Sequence, residues 1–410
     1  MQSFSERKCT WRFSMNELID SKSLAILHAS LSWESEVARH VETLYIPLNV
    51  WRELDLLPPP LAQALEGQRA GFVWKTSLSP GILVPPHDDS QVRWFPPESF
   101  AQGRRRPRVG RFYPQGRLLG HAHIPTPFRC SAVNHGGFAA DFNHPLAAYP
   151  LELEVTVAGV QKKRSDTGGI CHDWVEILCD GPGMQARQSR TPTDFFADDP
   201  FARADARDDA LFYEKPRLVN HIDDQADAII SALYGRLLKP GARVLDLMSS
   251  WNSHLPESLE LAQVTGLGLN REELAKNPRL TDYVVQDLNQ NTVLPFPDRS
   301  FEAVICTVSV EYLIHPQEIF QEAARVLKPG GLLVHTFSNR WFPPKVTKIW
   351  TEVMEWERPG LVLEYFLRAG AYDHLQTFSA RGWPRPATDR YFPQVPLADP
   401  VYAVWGQTKT

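Results

Sequence analysis

Hydroxyls, an amide, an indole and an imidazole crowd the stretch Ser249-Ser250-Trp251-Asn252-Ser253-His254, directly after the apolar run Ala242-Arg243-Val244-Leu245-Asp246-Leu247-Met248. Such groups can grip a polar ligand through hydrogen bonds, cover a cation with a π face and move a proton near neutral pH. The run before them, led in by the turn Lys239-Pro240-Gly241, reads as a buried strand of a parallel sheet. A loop at the carboxyl end of such a strand is where open α/β sheets bind their ligands.

Two other constellations carry weaker chemistry. Arg104-Arg105-Arg106-Pro107-Arg108, with Arg111 and Arg117 nearby, is a local basic cluster, read as a solvated loop because phosphate binding needs charge spread over a face. Cys171 and His172 are adjacent, with Cys179 following, whereas zinc sites pair ligands two to four residues apart on both sides; no metal is expected.

Length and composition bound the rest. A chain of 410 residues with 43% hydrophobic and 22% charged residues can bury a sizeable core in two or three domains. Its net charge of −5 argues against general affinity for nucleic acid or anionic membrane. An odd count of 5 cysteines without a tight framework suggests a reducing compartment. No apolar run approaches a membrane span and no signal-peptide core follows Met1, so a cytoplasmic protein is expected.

Residues 1–40 read as an N-terminal extension, with Met15 to Leu31 a helix or helical hairpin. From 41 to 160, short strands with proline and glycine punctuation predict a strand-rich α+β domain. It contains one helix from Leu61, stopped by Gly67, and an alternating strand from Leu151 to Val157. Residues 161–215 read as a long surface linker, in which Trp174, Ile177 and Leu178 suggest a docked short helix and Asp198 to Tyr213 part of a lid. From 216 to 410, helices alternate with strands, which predicts a doubly wound parallel α/β sheet.

The last segment resembles the class I methyltransferases that use S-adenosylmethionine. The likeness is carried by the strand Val244 to Leu247, by Leu294-Pro295-Phe296-Pro297-Asp298-Arg299-Ser300-Phe301-Glu302-Ala303-Val304 and by Arg325-Val326-Leu327-Lys328-Pro329-Gly330-Gly331. The glycine-free loop is similar to that of a serine-serine-tryptophan subgroup. The resemblance implies S-adenosylmethionine as cofactor, held at Asp246, Ser249, Ser250, Trp251, Asn252, Asn270, Asp287 and Leu288. Asp287 falls where the family's acid meets the adenine amine. The family's ribose acid falls on Gly268, with Asn270 two residues later. In this account Ser249, Ser250 and Asn252 hold the cofactor's tail, Trp251 covers the methylsulfonium, and His254 or Glu311 handles a proton of a small-molecule or protein substrate. In the competing account Met248 and Trp251 fill the space that glycines leave, and the domain is a pseudoenzyme.

Leu65-Glu66-Gly67, Phe95-Pro96 before Phe100, and Asp141-Phe142-Asn143-His144-Pro145-Leu146-Ala147 resemble the FK506-binding-type peptidyl-prolyl isomerases of the bacterial kind with an inserted flap. The flap would span about residues 97–145 and bind unfolded peptide. The family's pocket tyrosine falls on Val84 and an expected aromatic on Leu153, with Tyr45, Trp51 or Trp94 as partial replacements. A recognition, chaperone-like or structural module is therefore favoured over prolyl isomerisation.

Overall fold

The computed structural model describes residues 17–20, 22–48, 59–100, 106–120, 125–163 and 173–410. Met15, Trp51, Arg104, Arg105, Cys171 and His172 lie outside these residues. The N-terminal half contains β1 (Ser23–Glu34), β2 (Arg39–Leu48), α1 (Pro59–Leu65), β3 (Val73–Leu78), β4 (Val92–Phe95), β5 (Phe112–Pro114), β6 (Pro127–Asn134), β7 (Gly137–Asp141) and β8 (Leu151–Lys162). The helices of the C-terminal half begin with α2 (Trp174–Cys179), α3 (Asp209–Phe212) and α4 (Asp224–Leu237). There follow β9 (Arg243–Leu247), β10 (Gln263–Gly268), α5 (Arg271–Ala275), β11 (Asp282–Val285), β12 (Phe301–Thr307), α6 (Pro316–Val326) and β13 (Leu327–Phe337). The chain ends with α7 (Lys348–Glu352), α8 (Arg358–Ala369), β14 (Tyr372–Arg381) and β15 (Val401–Thr408).

Seven strands of the C-terminal half lie in the order β11-β10-β9-β12-β13-β15-β14. β9 to β13 pair in parallel and β15 runs antiparallel to both its neighbours. The order reverses between β9 and β12, and the crevice at their carboxyl ends is the natural ligand site. One face of the sheet is covered by α6 and α8 through Phe320, Val326, Leu363 and Phe366, the other by α4 through Ile230, Leu233 and Tyr234. This is the doubly wound sheet expected for residues 216–410.

That sheet does not stop at β14. It continues through β2, β1, β8 and β3, so eleven strands cross both halves of the chain. β14 pairs in parallel with β2 from Gln376↔Arg39 to Arg381↔Leu44. The expected helix over Met15 to Leu31 is therefore replaced, from Ser23, by β1. It lies between β2 and β8 with Ala25, Leu27, Ala29, Leu31 and Trp33 on the core face, and Ile26, buried beside a register irregularity in the β8 pairing, interrupts that alternation. Residues 1–40 consequently include a central strand rather than only an extension.

The insertion expected at about 97–145 is a small sheet, ordered β4-β7-β6-β5, around Phe100, Phe128, Phe138 and Leu118. On β1, β2 and β8 one face packs under α1 and α2, and Leu31, Leu44, Ile46, Val84 and Leu153 fill it. Tyr45 points to the opposite face, where its ring lies 4.8 Å from that of Trp383, and Trp94 is 56% exposed. Neither supplies the aromatic wall expected of a proline pocket.

Residues 173–215 are a packed strap, not a surface linker. Trp174, Leu178, Phe195 and Asp209 are buried in them, because α2 docks under β1 and β8 and the following segment threads between the small sheet and α8. Arg187 makes a two-pronged ion pair with Glu364 at 2.6 Å.

The β14–β2 seam is polar although buried. His40 Nδ1 meets Thr377 Oγ1 at 2.8 Å. Glu42 accepts from Gln185 Nε2 at 2.7 Å and from the Ser379 hydroxyl. Burial pushes the Glu42 carboxyl up to about 8 from an ordinary 4.5. Between those two values the folded state keeps a proton that the unfolded chain has released, so stability falls as pH rises through the window. Glu42→Gln preserves both hydrogen bonds without titrating. It should raise the melting temperature above pH 8, by the equivalent of roughly a few kcal/mol, and match the parent below pH 4.5. Thermal denaturation of both proteins across that range checks this, and parallel pH profiles would refute it.

Candidate functional site

The loop after β9 is built on Asp246. Its carboxylate is buried, and one oxygen accepts from Ser249 Oγ at 2.6 Å and Ser253 Oγ at 2.7 Å, closing the loop on its own strand. With no cation bonded to it, burial pushes the carboxyl up to about 6, against the pull of the two hydroxyls. Ser250 Oγ donates to Glu273 Oε2 at 2.7 Å, and Asn277 Nδ2 holds the Ser250 carbonyl at 2.8 Å.

The loop presses its backbone onto the end of β10. Ser249 N donates to Leu267 O at 2.8 Å, and a Cβ built on Gly268 would lie 2.1 Å from the Ser249 carbonyl oxygen. No side chain fits at 268, so the absent ribose acid is a steric consequence of this loop. Met248 turns the chain with φ +53° and Val308, just beyond β12, has φ +47°. Left-handed backbone is costly for such residues and concentrates at functional sites.

A cleft of about 810 Å³, counting its open mouth, lies at these strand ends. Of the residues expected to hold the cofactor, Ser249, Ser250, Asn270, Asp287 and Leu288 line it. Met248 lines it too without closing it. Asp246 lies beneath, as the anchor of the loop. The others differ from expectation. Trp251 donates to Val219 O at 3.2 Å and is not on the cleft wall, so it neither covers a methylsulfonium nor plugs the crevice. Asn252 bonds Asn220 at 3.2 Å. His254, itself left-handed (φ +56°), is tied to Asp227 of α4. The sharp turn sends these three side chains toward 219–227 rather than into the crevice. Asn270 lines the wall, but its oxygen caps α5 through Glu272 N and Glu273 N, and its nitrogen donates to Tyr213 O and Glu214 O. Its amide is spent.

Glu311 is buried behind Tyr312, also off the wall. Neither carboxylate oxygen has a partner among the described residues, and burial pushes it up to about 8, so it is protonated at neutral pH.

The remaining wall comes from segments that local sequence pattern does not mark. Tyr213, Arg217 and His221 arrive from the strap and the approach to α4, Glu273 from α5, and Tyr312 and Phe342 from the far side. Arg217 stacks at 4.5 Å on Phe212 and 5.0 Å on Phe342. The His221 ring meets that of Phe342 at 4.9 Å and has no hydrogen bond among the described residues. Desolvation and the Arg217 cation hold its pKa below the ordinary histidine value, which keeps the imidazole neutral at pH 7. Asp287 takes Asn289 N at 2.8 Å on one oxygen, and burial together with Asp209 and Asp208 raises its pKa.

The strap is clamped from below. The buried Lys345 ammonium contacts Asp209 at 3.0 Å, and Arg203 pairs with the same carboxylate at 2.8 Å. Asn289 Nδ2 joins them at 2.9 Å. The lid expected from Asp198 to Tyr213 is thus a fixed wall.

These residues suit S-adenosylmethionine. Asp209 is neutralised by Lys345 and Arg203, which leaves Glu273 and Asp287 as the uncompensated acids of the cleft against one guanidinium, Arg217. The balance favours a sulfonium cation with a zwitterionic tail. Among the described residues no cluster of His, Cys, Asp or Glu could hold a metal ion, and no helix is long and apolar enough to cross a membrane.

Residues 250–335 match a family model described as a methyltransferase domain. A demethylmenaquinone methyltransferase of Renibacterium salmoninarum is 31% identical over 151 residues, which is 35% of this chain and 61% of that protein. A ubiquinone/menaquinone biosynthesis C-methyltransferase of Laribacter hongkongensis is 31% identical over 120 residues, 26% of this chain and 48% of that one. This chain thus spans only about half to three-fifths of the curated relatives it matches. A solved S-adenosylmethionine-dependent methyltransferase of Aquifex aeolicus is 18% identical, with 49% of this chain and 97% of that one covered at a TM-score of 0.30, too loose a superposition to carry an argument. Over residues 250–335 the chain is thus similar to a methyltransferase domain, and S-adenosylmethionine is the cofactor that likeness implies.

Gly268→Ala should move the Ser249 backbone or unfold the strand end, at a cost of roughly 2–5 kcal/mol. A melting temperature within a degree or so of the parent would show that the loop is not held by this contact.

Proposed function

We propose that the chain transfers a methyl group from S-adenosylmethionine to a small aromatic molecule bound in the cleft at the β9/β12 switch point. The observation that carries this reading is that the cleft stays open although its loop has no glycine, with Asp287, Glu273 and Arg217 on its wall. When bound, the cofactor supplies an electrophilic methyl group on a sulfonium.

Asp287 has one carboxylate oxygen without a partner among the described residues and is placed to accept from the adenine amine. Glu273, already fixed by Ser250 Oγ and by Arg217 N at 2.6 Å, stands near the end of β10, where Gly268 cannot carry an acid, and takes the role of accepting from ribose hydroxyls. Arg217, stacked between rings, is the cation for the tail carboxylate. The faces of Tyr213, Tyr312 and Phe342 suit a sulfonium and a flat acceptor alike. The names of the relatives, which are methyltransferases of demethylmenaquinone and of ubiquinone and menaquinone biosynthesis, fit such an acceptor.

Methyl transfer demands mainly alignment and a dry site. For an acceptor that must lose a proton, the neutral His221 imidazole on the wall is the base, in place of His254. Glu311, off the wall, is given no contact with substrate. The N-terminal half serves partner or peptide binding in this reading, supported by the small sheet that projects Trp94 into solvent. A cytoplasmic setting is supported by the buried free thiols of Cys130, Cys179 and Cys306.

Calorimetric titration of the full chain with S-adenosylmethionine should show one site that Asp287→Ala weakens at least about tenfold, the value of one charged hydrogen bond. No binding to the parent protein would end the proposal. With an accepted substrate, His221→Ala should lower kcat by about two orders of magnitude and remove the acid limb of the pH–rate profile, which lies below pH 6.5, while cofactor affinity holds.

A further inference from the structure

The arginine cluster, read from sequence as a solvated loop, is partly built into a second cleft. This cleft lies where β5 and its flanks meet α7, and it encloses about 960 Å³ including its open side. Arg106, Arg108, Arg111, Arg117 and Lys348 line it, against the acids Asp194, Asp198 and Glu352. None of its lining residues lines the cofactor cleft.

Pairing within the protein uses up only some of this charge. Arg111 is buried and bonded to Glu357 at 3.0 Å, with its ring neighbours Phe195 at 5.3 Å and Tyr113 at 5.9 Å holding the guanidinium plane. Arg108 takes both Asp194, at 3.4 Å, and Asp198. Arg106 and Arg117 then have no carboxylate partner among the described residues, and the Lys348 ammonium donates only to the Asp198 backbone carbonyl. Arg106 and Arg117 from the small sheet's flanks and Lys348 from α7 converge on this cleft with no carboxylate partner of their own among the described residues.

A solvated loop would not show this arrangement, in which two of the arginines are pinned by buried or bidentate partners and frame the space that the others face. The five cations face three lining carboxylates and Glu357 behind Arg111, so a small positive excess remains for an anion. Arginine forks suit phosphate oxygens, a lysine supplies a point charge beside them, and the rings of Phe112, Tyr113 and Phe195 leave apolar surface for an organic group.

We propose that this cleft is a second ligand site, separate from the cofactor cleft, that takes a phosphate-bearing anion bridging the small sheet and α7. The ligand's charge is supplied by a free small molecule or by a lipid headgroup; the chemistry recognised is the same.

Calorimetric titration of the full chain with inorganic pyrophosphate should give one site that weakens as salt is raised. Arg106→Ala with Arg117→Ala, both exposed side chains, should weaken it about tenfold or more, and Lys348→Gln should do likewise. S-adenosylmethionine affinity should be unchanged in the double variant, which shows that the protein is folded and the sites are distinct. Vesicles of phosphatidylcholine with phosphatidic acid distinguish the source: sedimentation of the protein that pyrophosphate reverses identifies a headgroup, and pyrophosphate binding without sedimentation a free ligand. No pyrophosphate heat, equal affinity in the double variant, or preference for a polyaspartate peptide over pyrophosphate would overturn the assignment.

Discussion

A buried carboxylate with two serine hydroxyls on one oxygen shapes the active half of this protein. Asp246 folds the loop after β9 back on itself through Ser249 and Ser253. The folded loop lays the Ser249 carbonyl over β10, and that contact forces glycine at 268. Each substitution relative to the resembling methyltransferases then has a physical partner. Hydroxyls replace glycines because they satisfy a carboxylate that no cation neutralises. Glu273, on α5 beyond the end of β10, ties the loop down through Ser250 Oγ. The loop is therefore an alternative construction of the same crevice, and the strain at Met248 and Val308 is concentrated on its two rims.

The shared sheet makes the two halves mechanically one. β14 and β2 pair over six residues, and one face of the seam carries His40, Thr377, Glu42 and Ser379 while the other carries Val41, Phe378 and Ala380. Polar pairs at a buried seam contribute little net stability, but they penalise slippage, since a shift of one residue would strand each of them on the wrong face. The N-terminal half is thus placed at a defined distance and angle from the methyltransferase-like half.

The strap between the halves walls both clefts. Its early part presents Asp194 and Asp198 beside the arginines, and its later part presents Asp209, Tyr213 and Arg217 to the cofactor crevice. Lys345, fully buried, ties it down through Asp209 and the carbonyls of Asp205 and Arg207. A buried ammonium is tolerable only with such a complete set of acceptors, and removal of any one would leave charge in a low dielectric.

By itself the sequence determined the doubly wound half, because strands and helices there carry distinct periods of apolar residues, and it put Asp287, Leu288, Ser249 and Ser250 after strand ends, where the cleft opens. It also marked the aliphatic positions Val84 and Leu153 that leave no aromatic proline pocket. Tertiary structure alone decided that β1 is a strand, since small alanines share its core face and the irregularity at Ile26 and Leu27 interrupts the period that would have shown it. It alone decided that Trp251, Asn252 and His254 point away from the crevice while His221 and Arg217 point in. Those directions are set by left-handed turns at Met248 and His254 and by the strap clamped on Lys345, and contacts between residues so far apart leave no local pattern in the chain.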